Sequence, residues 1–125
     1  MYLPKPDHRD GTAKKSQWVI PVSGEVESFR LAIDEGWFKD GLGWSLHLRD
    51  DHAAYLGTAA QDPGPAKALF LALFEIAPIC HGFPADHRRS SREKPPTAVR
   101  SAWLDRKYLR PAVIRKIGKG QRCSL

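Results

Sequence analysis

Residues 44–58 read Trp44-Ser45-Leu46-His47-Leu48-Arg49-Asp50-Asp51-His52-Ala53-Ala54-Tyr55-Leu56-Gly57-Thr58. Trp44, Leu46 and Leu48 alternate with Ser45, His47 and Arg49, the two-residue period of a strand with one apolar face. Asp50-Asp51-His52 supplies the reversal, because short carboxylate side chains stabilise tight turns, and Ala53 to Thr58 returns beside the first strand. The stretch is a β-hairpin by this reading, and it anchors an antiparallel meander over residues 18–60.

Working outward towards the N-terminus, Asp40-Gly41 and Asp34-Glu35-Gly36 are turn signals on either side of Trp37-Phe38. From Val26 to Ile33 the residues Phe29, Leu31 and Ile33 alternate with Ser28, Arg30 and Ala32, which is again strand periodicity, with a helix as the alternative. Trp18 to Val22 is a short apolar run that Pro21 pushes towards a sheet edge. Residues 1–17 form a polar, proline-containing arm without periodicity, mobile or draped over the domain.

Towards the C-terminus, Asp62-Pro63-Gly64-Pro65 reads as a helix start, and residues 62–77 as a helix. Its body, Pro65 to Ile76, is apolar nearly all round, with only Lys67 and Glu75 charged. A helix without a polar face belongs in the core or against a partner, so a homodimer or protein partner across 65–76 is one expectation. Residues 78–94 read as a polar loop. Pro95-Pro96-Thr97 then opens a second, basic helix, about Ala98 to Leu109, followed by a basic tail to residue 125. Ala112 to Ile117 is a last strand or a helical turn. The expected fold is therefore α+β: three to five antiparallel strands packed on one apolar helix, with a basic helix near the C-terminus.

The 125 residues fit one domain. No apolar run approaches the ~20 residues needed to cross a bilayer, and residues 1–15 lack the apolar stretch of a secretory signal. With two cysteines, Cys80 and Cys123, the expectation is a cytoplasmic protein without membrane contact or disulfide scaffold.

Charge is segregated along the chain. Residues 88–125 hold twelve Lys or Arg against Glu93 and Asp105, a net of +10. Residues 1–87 hold eight basic and twelve acidic side chains, a net of −4. Phosphate binding needs several cations spaced along a surface and backbone that can approach closely. The candidate nucleic-acid-binding residues are Arg89, Arg92, Arg100, Arg106, Lys107, Arg110, Arg115, Lys116, Lys119 and Arg122, with Gly118 and Gly120 between the last of them. A solvated charged face, or one pairing with the acidic front of the chain, is the bland reading. Zinc-finger spacing and a ribonucleoprotein sheet motif are absent from the sequence, so base-specific readout is not expected. Phosphate-loop, dinucleotide-fingerprint and serine-elbow motifs are absent too, which argues against the common nucleotide-cofactor enzymes and hydrolases.

One loop concentrates groups that can do chemistry: Cys80, His81, Asp86 and His87, followed by Arg88. Imidazoles can act as general acid and base at neutral pH, and an arginine can hold a scissile phosphate. His81, His87, Arg88 and Asp86 are thus the candidate catalytic residues of a metal-independent small nuclease, the alternative to a simple binder. An interaction subunit or inhibitor with an acidic protein partner is a second alternative. His47, Asp50, Asp51 and His52 can in principle hold a cation, but aspartates collect at hairpin tips for conformational reasons. Cys80, His81, His87 and Cys123 match no zinc spacing, and no metal or other cofactor is expected. Size alone favours a toxin–antitoxin or phage-defence setting, a prior that no residue here carries.

Overall fold

The apolar stretch at 68–75 is the middle of a sheet, not a helix. The structure, a computed structural model, describes residues 1–60 and 68–125. In chain order these form β1 (Gln17–Trp18), α1 (Val22–Glu35), β2 (Phe38–Lys39), β3 (Leu42–Arg49), β4 (His52–Ala54), β5 (Gly57–Thr58), β6 (Ala68–Leu69), β7 (Leu71–Glu75), β8 (His81–Ala85), α2 (Thr97–Asp105) and α3 (Pro111–Gly118). The expected helix start at Asp62–Pro65 lies outside the described residues.

β7 runs antiparallel between β3 and β8, with Trp44 opposite Leu73 and Leu73 opposite Phe83. β2 and β4 complete this five-stranded sheet, and β1, β5 and β6 form a small three-stranded one. β7 is covered on both faces, which is why it carries no polar alternation. Leu71 and Leu73 face Trp44, Leu46, Trp103, Val113 and Ile117, whereas Ala72 and Phe74 face Trp18, Ile20 and Leu56. Leu71 to Phe74 are each no more than 1% exposed. These residues are interior to the chain, and the helical seam expected for a homodimer at 65–76 is not formed by them.

The second correction concerns Val26–Ile33, which lies within α1 and interrupts the expected meander. The face that α1 buries consists of Gly24, Glu25, Ser28 and Ala32. These small and polar groups let the helix lie close on the sheet, and the Ser28 hydroxyl donates to the Leu46 carbonyl at 3.0 Å. Gly36, at φ 73°, ends the helix in the left-handed conformation, and the Trp37 N–H closes back on the Ala32 carbonyl at 2.9 Å.

The hairpin at Asp50-Asp51 follows the sequence reading, although only His52–Ala54 returns beside β3 and Gly57–Thr58 pairs in the smaller sheet; the turn read at Asp40-Gly41 joins β2 to β3. Asp40-Gly41 and Asp50-Asp51 all have positive φ, the geometry of a two-residue turn matched to strand twist. α2 and α3 then cover the sheet face opposite α1. The segment 112–117 is helical, Val113 and Ile117 its inward stripe.

Residues 78–94 are likewise more than a loop, since β8 runs through them. The N-terminal arm is draped over the domain. Tyr2 bridges to Cys80, and the Leu3 N–H donates to the Cys80 carbonyl at 2.7 Å. Arg9 pairs with the wholly buried Glu25 at 2.8 Å. The Tyr2 hydroxyl donates to the other oxygen of that carboxylate. Burial, reinforced by Glu25, pushes the Tyr2 phenol far above its ordinary pKa, so it remains a donor.

Candidate nucleic-acid interface

The twelve cations of residues 88–122 divide into those that serve the fold and those that face solvent alone. Arg88 grips Asp86 with two parallel bonds, at 3.0 and 2.8 Å. Arg92 pairs with Glu75 at 2.6 Å, and Arg106 with Glu35 at 2.5 Å. The Glu35 carboxylate and the Tyr108 hydroxyl raise the pKa of Arg106. Lys94 and Arg110 donate to the backbone carbonyls of Gly118 and Ser124, and Arg100 to the Thr97 hydroxyl. The bland reading, cations pairing with the acidic front half, therefore holds for Arg92, Arg106 and Arg88.

Arg89, Lys107, Arg115, Lys116, Lys119 and Arg122 are exposed and have no carboxylate partner among the described residues. Two of them lie on α3, and a third, Lys119, caps its C-terminal end. With Val113 and Ile117 turned inward, Arg115 and Lys116 lie on the solvent side, four and three residues before Lys119. Lys107 sits past the end of α2 at φ 60°, a left-handed conformation that disfavours any side chain with a β-carbon.

The four candidate catalytic residues are not brought together. His81 opens β8, and His87 lies two residues beyond its end, about 20 Å away along an extended chain. His81 lines a cleft of about 330 Å³ under the N-terminal arm, with Lys5, Lys14, Lys15, Arg89 and Arg92. Its Nε2 lies 3.0 Å from Glu75. His87 lines a different recess of about 270 Å³, beside Asp86, Arg88, Arg122 and Cys123. Its Nε2 is 2.6 Å from the Gln121 carbonyl. The two imidazoles thus have separate surroundings and no common substrate position.

Burial alone would raise the Asp86 carboxyl; the Arg88 side chain and backbone N–H outweigh it and hold the group below the usual carboxylate range. Glu75 is lowered chiefly by its bond from Arg92, with His81 contributing. Burial pushes the Cys123 thiol up, the wrong direction for a nucleophile. Both cysteines are free. Among the described residues no group of three or more His, Cys, Asp or Glu side chains is gathered as for a metal ion, the His47–His52 hairpin included. None of the helices among them is long and apolar enough to cross a membrane.

Sequence reasoning missed Lys5, Lys14 and Lys15, which the arm carries to the same cleft as Arg89 and Arg92. The signal was present: half of the eight basic residues in the acidic front of the chain fall within its first fifteen positions. Comparison with protein-family models, curated proteins and solved structures finds no match to this chain.

Proposed function

We propose that this protein binds nucleic acid by gripping the phosphate backbone, without reading base sequence. The observation that carries the reading is the set of six exposed cations lacking carboxylate partners among the described residues, three of them clustered on α3 and its C-terminal cap. Side chains already neutralised by an internal partner contribute little to a polyanion, whereas unpaired ones displace counterions from it. Gly120 beside Lys119 has open space where a β-carbon would stand, which lets a phosphate backbone approach the main chain closely. Titration of labelled RNA and DNA at rising salt, with the native chain and an α3 charge-reversed variant, tests the reading.

A nuclease is the second reading, favoured by the 3.0 Å approach of His81 to Glu75 inside a basic cleft. A carboxylate beside an imidazole fixes the orientation of the ring, and a general acid–base group must be positioned in this way. With His87 facing elsewhere, His81 is the candidate proton-transfer group and His87 a support for the C-terminal segment through Gln121. Cleavage of single-stranded RNA that falls by roughly 10²–10⁴-fold in His81→Ala, but not in His87→Ala, distinguishes this reading.

A further inference from the structure

The cleft beneath the N-terminal arm has an excess of positive charge that the fold does not use. Five cations line it: Lys5, Lys14 and Lys15 from the arm, and Arg89 and Arg92 from the segment after β8. One of its two carboxylates is paired with cations and the other is held by a backbone N–H. Glu75 holds Arg92 at 2.6 Å and His81 at 3.0 Å, and Glu93 accepts from the Asp86 N–H at 3.2 Å. Lys5, Lys14, Lys15 and Arg89 are left without carboxylate partners among the described residues. Five cations against Glu75 and Glu93 leave the recess a net charge of +3, which favours an anion there.

The arm that forms one wall is held in place without any ligand. Arg9 ties it to Glu25, and His8 Nδ1 lies 2.7 Å from the Ser16 carbonyl. The His8 ring stacks on Phe83 at 5.2 Å and 14°. A wall fixed in advance lowers the entropic cost of capturing a ligand. At about 330 Å³ the recess is at the small end of ligand sites, ~300–1,000 Å³. Its cations converge on one volume instead of following a line, unlike those of a groove that tracks a strand.

We propose that this cleft binds a terminal phosphate monoester, presented by the end of a nucleic-acid strand or by a free mononucleotide. A monoester carries close to two negative charges and three acceptor oxygens, against one charge for each internal diester, and so matches convergent donors better. The strand-end source rests on the nucleic-acid reading above; the mononucleotide source does not.

The test uses the full chain and single-stranded oligonucleotides of one sequence carrying a phosphate at the 5′ end, the 3′ end or neither. Adenosine monophosphate is titrated separately by calorimetry. A phosphorylated end should tighten binding by about tenfold, the return of one charge-assisted hydrogen bond. Lys14→Gln with Lys15→Gln, both at exposed positions, should erase that preference with the circular dichroism spectrum intact, weakening the phosphorylated strand far more than the unphosphorylated one. Adenosine monophosphate binding without any oligonucleotide binding keeps the cleft and overturns the backbone reading. Equal affinity for all three oligonucleotides, or a preference that survives the double variant, overturns the cleft and leaves the backbone reading standing. Binding of none of the probes overturns both.

Discussion

Arg9 reaches from the N-terminal arm to Glu25 on α1 and closes a 2.8 Å ion pair with a carboxylate that has no exposure to solvent. This contact links the start of the chain to its core and fixes the arm that carries Lys14 and Lys15. Removing one partner of a buried pair leaves the other charged and unsolvated. Arg9→Met should cost about 3 kcal/mol in urea unfolding, the low end for such pairs because Arg9 is partly exposed. Adding Glu25→Met should recover part of it, since an apolar pair needs no counterion but the Tyr2 hydroxyl loses its acceptor. A single-variant cost under about 1 kcal/mol would assign the pair no structural role.

Packing between β7 and β8 gives a second test. A β-carbon added at Gly82 would lie 2.2 Å from Phe74 Cδ1 and 2.8 Å from the Leu73 carbonyl. Gly82→Ala should therefore destabilise by about 1–3 kcal/mol through overpacking. Phe74→Leu should cost less in that background than in the native chain. Additive costs in a double-mutant cycle would contradict direct contact.

The hairpins of β3 were legible because Asp40-Gly41 and Asp50-Asp51 specify their turns locally. α1 was not, because its buried face is Gly24, Glu25, Ser28 and Ala32, and its polar members are satisfied by Arg9, Tyr2 and the Leu46 carbonyl. β7 was misread for the opposite reason: an apolar strand covered on both faces has the composition of a buried helix. For the site, the basic segment was visible, but not which cations remain available. Arg106 meets Glu35 across 71 positions of sequence, and only the fold brings them together. The same holds for His81 and His87, close in sequence and separated in space by β8.

Asp86 should leave a mark on the acid limb of stability. Its native pKa is depressed, so its contribution is fully present above the unfolded value, ~3.9, and is lost as pH falls through the native one. The melting temperature of the native chain should drop on acidification below about pH 4, more steeply than that of Asp86→Asn. Parallel curves for the two proteins would show that the Arg88 pair adds nothing.

Lys107 sets local stability against the proposed activity. Its φ of 60° is accessible to glycine without cost. Lys107→Gly should raise stability by about 1 kcal/mol, the penalty of a left-handed side-chain residue, while weakening nucleic-acid binding. A variant that is less stable would contradict the strain assignment, and unchanged affinity would remove Lys107 from the interface.

The central claim concerns which cations meet phosphate, and the salt dependence of binding measures it most directly. If about five of the six unpaired cations engage duplex DNA, the slope of log affinity against log salt should be near −4.5. Arg115→Glu, Lys116→Glu and Lys119→Glu together should flatten the slope and abolish binding with the circular dichroism spectrum intact. Reversing Arg106, already held by Glu35, should change the slope little. A steep slope that survives reversal of the α3 face, or a slope near zero for the native chain, would contradict the account.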